Sequence, residues 1–257
     1  MVDLHTHILP GVDDGPRDLR GSLAMAEVAV HGGTRTLVAT PHVRADHPGV
    51  RPEEIAGRAR EVEDALRERG IALRVLPGGE VDLDAAEALG DDELRLASLG
   101  GAGRYLLVET PYAALPADYE DRLAALAARG FDLVVAHPER NRTLQDDPER
   151  LGALAGDVLV QLTAGSLAEG RGGPATLATL ALREGWATVL ASDSHSATWR
   201  APNLNVGALT ARKALPEADA EIGWMVEEAP RAIAEGRDLP PRPARAEVRR
   251  SLFGRRR

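Results

Sequence analysis

The chain has 257 residues, 44% apolar and 28% charged, with a net charge of −9, eight aromatics and no cysteine. That length suits one large domain, an α/β barrel included, and the lack of cysteine excludes disulfides, thiolate zinc sites and a cysteine nucleophile. Residues 237–257 hold eight Arg against Asp238 and Glu247, a local +6 that leaves −15 on the rest, and so acidic a body argues against nucleic-acid binding.

In chain order, a first apolar run at 2–6 leads into "HTHILPGVDDG", where His5 and His7 are followed by the Pro10-Gly11 turn and by Asp13-Asp14. Leu19, Leu23, Ala26 and Val30 then recur at helical spacing, with Gly32 as a plausible cap. A second strand is expected at 36–40 and a helix through Ile55, Ala59, Val62 and Leu66, stopped near Gly70. Strands at 73–76 and 105–109 follow, then a helix carrying Leu123, Leu126 and Ala127 before Gly130. Three more strands are expected at 133–136, 158–162 and 188–191. Residues 205–234 read as a closing pair of helices, and the proline-rich run 239–243 breaks regular structure. Strand and helix alternate throughout, the pattern of a parallel sheet or barrel.

No repeat and no low-complexity linker interrupts this pattern, so residues 1–236 are expected to form one domain and 237–257 a basic tail. The tail is expected to be solvated, with weak contact to a membrane or partner as the alternative. No apolar run approaches the roughly 20 residues that span a bilayer, and no signal-peptide pattern precedes Asp3. A soluble, cytoplasmic protein is expected; homo-oligomerisation is left open.

The polar residues gather at the ends of the candidate strands. His5 and His7 close the first, His42 follows the second, Glu80 the third, Glu109 ends the fourth, His137 the fifth, and Asp193 and His195 the last. In parallel α/β folds these strand ends surround the active site. Taken singly, each residue has a bland explanation, His42 or His137 as a hydrogen-bonded structural histidine and Glu80 or Glu109 as a salt-bridge partner. Taken together they would leave several desolvated ionisable groups unless cations pair them. Imidazole and carboxylate without thiolate suit Mn, Fe or Zn, and more than one ion is expected. Such a cluster activates water for hydrolysis, with phosphate esters a leading substrate class. Arg140 and Arg200 could grip phosphate oxygens through their planar forks; the alternative for each is a surface salt bridge. His31 is expected to complement a helix dipole and His47 to lie in a loop.

The motifs "DLHTHILPGVDDG", "ATPHV", "LPGGEV", "YLLVETP", "AHPERN", "QLTAGSL" and "ASDSH" closely resemble, in order and spacing, the bacterial manganese-dependent protein-tyrosine phosphatases of the CpsB/CapC type. That family belongs to the polymerase-and-histidinol-phosphatase superfamily, and the similarity runs from residue 1 to about 235. It implies an α/β fold, a distorted (β/α)7 TIM-like barrel, and two or three Mn²⁺ ions, with Fe or Zn acceptable in some sites. One ion would be held by His5, His7, Glu80 and Asp193. Glu80 would bridge to a second ion held by Glu109 and His137, and Asp14, His42 and His195 would hold a third. Arg140, Arg200 and His42 are the implied catalytic residues.

The implied substrate is the phosphotyrosine-containing tail of a bacterial tyrosine kinase that controls capsule or exopolysaccharide synthesis. The expected mechanism is in-line attack by a hydroxide bridging the metals, with no phosphoenzyme. The alternatives are a phosphatase of a small phosphomonoester such as histidinol phosphate, and an inactive binder of kinase tails. The chain departs from many relatives at Val43, where they carry a second histidine, and in the loop 44–50.

Overall fold

The computed structural model describes residues 1–246, and in it the alternating pattern closes into a barrel. Its strands are β1 (Val2–Thr6), β2 (Thr36–Ala39), β3 (His42–Val43), β4 (Arg74–Pro77), β5 (Glu80–Val81), β6 (Tyr105–Glu109), β7 (Asp132–Ala136), β8 (Leu159–Thr163) and β9 (Ala187–Ala191). All pair in parallel, in the orders β1-β2-β4 and β3-β5-β6-β7-β8-β9. β2 and β3 are halves of one stave, parted at Pro41, which has no N–H to give a ladder. Gly78-Gly79 part β4 from β5 in the same way. Seven staves therefore stand where seven strands are expected, two of them broken.

A bridge between Thr6 and Ser194 returns the last stave to the first. There the His7 amide donates to the Ser194 carbonyl at 2.8 Å and the Asp193 amide to that of His5 at 2.9 Å. The breaks decide where the functional groups stand, because His42 and Glu80 open the short second halves and pair in register. β1 carries a bulge, advancing three residues from Asp3 to Thr6 while β2 advances two from Leu37 to Ala39. Such an extra residue re-aims side chains, and it falls at Leu4 and His5.

Helices Leu19–His31, Pro52–Glu68 and Tyr119–Ala127 bury most of the expected apolar positions, among them Leu23, Ile55, Val62, Leu66, Leu123 and Leu126, while Leu19 and Ala127 at helix ends stay exposed and Val30 is only partly covered. Each large aliphatic so buried contributes about 1.5–3 kcal/mol. The expected closing pair of helices is three, Leu204–Ala214, Asp219–Val226 and Glu228–Ala234. Pro216 and the non-helical backbone of Glu227 (φ −132°, ψ −65°) divide them. Ile233 and Ala234 of the last one plug the barrel against Val2, Leu4, Val38, Leu107, Val134 and Val189. The plug passes so close to Gly100 (φ +73°) that a Cβ there would lie 1.8 Å from the Ala234 carbonyl oxygen, so only glycine fits.

No helix among the described residues is long and apolar enough to cross a membrane. Residues 247–257, the most basic part of the expected tail, lie outside the described residues. The stretch 237–246 has no regular structure, as its prolines suggest, yet is tied to the body. Buried Glu221 accepts from Arg242 Nε at 2.6 Å and from Arg245 Nε at 2.5 Å. Arg242 also donates to the carbonyls of Gly185 and Ala187, both at 2.8 Å, and Arg245 to those of Leu182 and Arg183, at the end of helix Gly172–Glu184.

Burial alone would raise the Glu221 pKa, but the two arginines outweigh it and hold it below the ordinary 4.5. Stabilisation from a lowered carboxylate pKa is present above the unfolded value and lost as pH falls through the folded one. Glu221→Gln should cost about 2 kcal/mol at neutral pH. The gap in thermal stability to the parent should close as the pH is taken below 4.5; a gap independent of pH would contradict the ion-pair account.

Candidate metal centre

The staves deliver nine expected ligands to one end of the barrel. His5 and His7 come from the end of β1, Asp14 from the loop behind it, His42 from β3, Glu80 from β5 and Glu109 from β6. His137 follows β7, and Asp193 and His195 follow β9. All are buried except Asp14, which is half exposed. Four sets of their donor atoms lie within 4.8 Å of one another: His5, His7 and Glu80; His5, His137 and Asp193; His42, Glu80 and Glu109; and His7, Asp14, His42 and His195.

Glu80 is the hub, with Oε2 at 2.9 Å from His42 Nδ1 and 3.3 Å from His5 Nε2, and Oε1 at 2.8 Å from His137 Nε2. Asp14 Oδ1 lies 3.2 Å from His195 Nε2 and 3.5 Å from His42 Nε2. The grouping differs from the one implied by the resemblance: Asp193 falls in a set apart from His7 and Glu80, and His7 also joins Asp14, His42 and His195. His137 joins His5 and Asp193, while Glu109 joins His42 and Glu80.

Hydrogen bonding tests whether this set fits metal ions. His5 Nδ1 is bound to Gln161 Oε1 at 2.9 Å, His7 Nδ1 to Asp13 Oδ2 at 2.8 Å, and His195 Nδ1 to the Asp193 carbonyl at 3.1 Å. An acceptor at Nδ1 puts the proton there and leaves the Nε2 lone pair bare, the form a metal requires. Yet His5 Nε2 and His7 Nε2 stand 3.2 Å apart, two acceptors facing one another. His42 Nδ1, Glu80 Oε2, Asp193 Oδ1 and His195 Nε2 are buried and make no well-aligned hydrogen bond, although other ligand atoms crowd close to them. Orphaned donor atoms of this kind are costly in a protein interior, and divalent cations satisfy them; the residues fit.

Arg140, in the turn Pro138–Arg140, and Arg200 border the cluster, and both donate to Asp193 Oδ2. The non-glycine residues with positive φ among those described are His137 (38°), Asp193 (51°) and Arg200 (49°). All three belong to this site. Backbone strain of that sort persists where the surroundings over-determine it.

Four supporting residues escaped sequence reading. Asp13 orients His7, accepts the His42 amide at 3.1 Å and accepts the Gly15 amide at 3.0 Å. A Cβ on Gly15 would lie 2.2 Å from the His7 carbonyl oxygen, so this loop seals onto the ligand. Gln161 is the lone polar side chain inside the apolar run of β8, a signal that was available. Buried Glu139 accepts from the Thr163 amide at 3.0 Å and the Ser166 hydroxyl at 2.7 Å, fixing the turn that carries Arg140. Arg44 donates to both oxygens of Glu109, at 2.9 and 3.1 Å. His47, expected in a loop, stacks on His42 with centroids 5.3 Å apart.

The electrostatics follow from burying carboxylates among imidazoles. Burial pushes Asp193 and Glu80 up, but facing histidines, and for Asp193 also Arg140, outweigh it and hold both well below the carboxylate range. Burial depresses the His42 pKa, but Glu109 and Glu80 outweigh it and raise it to about 9. Without cations, a proton on His42 therefore does part of the neutralising that cations would do.

Comparison with known proteins found relatives that match this chain along most of its length. Residues 1–227 match the family model described as capsular polysaccharide synthesis, CpsB/CapC. The chain is 34% identical over 266 residues to the tyrosine-protein phosphatase YwqE of Bacillus subtilis (strain 168), covering 99% of each. It is 29% identical over 202 residues to the putative tyrosine-protein phosphatase CapC of Staphylococcus aureus, covering 78% of this chain and 79% of that one. Its fold superimposes with a TM-score of 0.82, at 29% identity and over 96% of this chain and 100% of the other, on a crystal structure from work on YwqE from Bacillus subtilis and CpsB from Streptococcus pneumoniae, described as unique metal-dependent tyrosine phosphatases.

A raised histidine pKa stabilises the fold below the unfolded value and loses that effect as pH rises through the folded one. The chelator-stripped protein should therefore lose thermal stability between pH 6.5 and about 9. Added divalent metal should restore it most at the alkaline end; equal metal-induced shifts across that range would refute the account. Asp13→Asn should weaken metal binding about 10- to 100-fold, read by titration against a competing chelator.

Proposed function

From the premise that the chain belongs to the CpsB/CapC family, we propose that it is a metal-dependent protein-tyrosine phosphatase. Its substrate on this reading is the phosphotyrosine-bearing tail of a bacterial tyrosine kinase in capsule or exopolysaccharide synthesis, and its ions are two or three Mn²⁺. The observation that carries the reading is the juxtaposition of orphaned ligand atoms with two arginines turned onto one carboxylate.

His5, His7, Glu80 and Asp193, then His137, Glu109, His42, His195 and Asp14, would hold the ions. Bound there, the metals supply activation of the attacking water and neutralisation of phosphate charge. Glu80 lies within reach of His5, His42 and His137 through its two oxygens, so it suits a bridging role between neighbouring sites. Arg140 and Arg200 are rigidly presented, one by the Glu139-anchored turn and the other by a loop closed from the His195 amide to the Arg200 carbonyl at 2.9 Å. Their guanidinium groups can exchange Asp193 Oδ2 for the equatorial oxygens of a phosphoryl group, where charge grows during transfer. Burial of the ligand set excludes bulk water and strengthens these interactions.

Chelation should abolish hydrolysis of a phosphotyrosine peptide and Mn²⁺ should restore it; full activity in stripped protein would sink the metal mechanism. Turnover of the peptide should exceed that of histidinol phosphate, and the reverse order would move the substrate to a small metabolite. Arg140→Ala should weaken inhibition by inorganic phosphate about 10- to 100-fold with metal content intact by elemental analysis.

A further inference from the structure

Next to the ligand cluster lies a cavity of about 590 Å³ bounded by Arg140, Arg200, Asp193, Ser166, Tyr112 and Trp199. The strand order β6-β7-β8-β9 ranks the loops that follow these staves along its mouth. Tyr112 follows β6 at one end, Arg140 follows β7, Ser166 follows β8, and Trp199 with Arg200 follows β9 at the other. Two aromatic side chains thus flank the two arginines.

Neither aromatic is there for the core. Tyr105, Tyr119, Phe131 and Trp224 are buried, whereas Trp199 is 66% and Tyr112 58% exposed. Large aromatics left in water are expensive, and they are common where one face waits for a partner. Trp199 is also held in place. The Ser196 hydroxyl oxygen accepts from the amides of Thr198 at 3.2 Å and Trp199 at 2.8 Å and donates to the Trp199 carbonyl. The Arg200 backbone turns through the left-handed region directly after it. The Arg200 guanidinium lies 5.7 Å from the indole centroid, and the Tyr112 ring stacks toward His137 at 6.0 Å and 24°. Each aromatic therefore lies beside a member of the site while more than half of it stays exposed.

We propose that Trp199 and Tyr112 form an aromatic clamp for the ring of an aryl phosphate whose phosphoryl group lies on Arg140 and Arg200, making them specificity residues for aryl over alkyl phosphomonoesters. This rests on reading the site as a phosphatase. A phosphoryl group gripped by the arginines sends its ester substituent out past the flanking loops. An aromatic substituent there can stack on the indole or the phenol that line the cavity, and an alkyl chain forgoes that attraction.

The test is calorimetry on the metal-loaded protein with phenylphosphonate and methylphosphonate, which differ only in the ring and are not hydrolysed. The parent protein should bind the phenyl compound more tightly. Trp199→Ala should reduce that preference about tenfold, Trp199→Phe should keep most of it, and Tyr112→Ala should lose more of it than Tyr112→Phe. Variants whose preference matches the parent's would overturn the clamp. A parent that binds both phosphonates equally would also overturn the clamp while leaving the phosphate site standing. A parent that binds neither would overturn both.

Discussion

Buried charge without a neutralising partner is the constraint on which this structure turns. Four carboxylates and five imidazoles are packed at the open end of one barrel, nearly all removed from water. Leaving such groups ionised and unpaired costs several kcal/mol each. The fold meets the cost locally wherever a proton or an arginine is at hand: Asp13 under His7, Gln161 under His5, Arg44 against Glu109, Arg140 and Arg200 against Asp193. What remains after those pairings are inward-facing atoms of His42, Glu80, Asp193 and His195. The supporting residues take the outer faces of the ligands and leave the inner ones to cations, which is how a polyvalent site is organised before any ion arrives.

The barrel separates this polar end from an apolar one. Ile233 and Ala234 stop the base with close apolar packing, and the ionisable groups gather at the other end. The two broken staves serve the same division. A continuous strand at 36–43 or 74–81 would alternate its side chains without interruption. The proline and paired-glycine breaks restart the strand, which lets His42 and Glu80 pair side by side at the rim. Local defects in the sheet are therefore part of the site's construction.

Much of this was legible in the sequence because the ligand residues are chemically distinctive and stand at strand ends. His5 with His7, Glu80, and Asp193 with His195 interrupt or end apolar runs, and strand ends of parallel barrels converge. The partition of ligands was less legible. Whether His137 neighbours Glu109 or His5 depends on side-chain direction around the barrel, which spacing along the chain does not encode. Asp13, Gln161 and Glu139 were hidden because their types are ordinary and their roles lie in partners distant in sequence. The short strands β3 and β5 escaped notice because two residues carry no periodicity. Likewise the attachment of residues 237–246 depends on one buried glutamate, Glu221, whose two arginine partners lie more than 20 residues further along the chain.

Arg140 and Arg200 join stability to the proposed chemistry. Both turn onto the same oxygen of Asp193, so neither guanidinium is without an acceptor before substrate arrives. A phosphoryl group entering the cavity offers them oxygens of higher charge density in exchange. Asp193 in turn needs the arginines less once cations share its charge, for a carboxylate that ligates metal is already compensated. With cations held by the ligand cluster, the arginine-carboxylate pairs would be weaker and both arginines would have more freedom to turn toward the cavity that Tyr112 and Trp199 flank. The ligand cluster and the phosphate grip thus share a single aspartate, held in a left-handed backbone conformation between β9 and the loop that ends at Arg200.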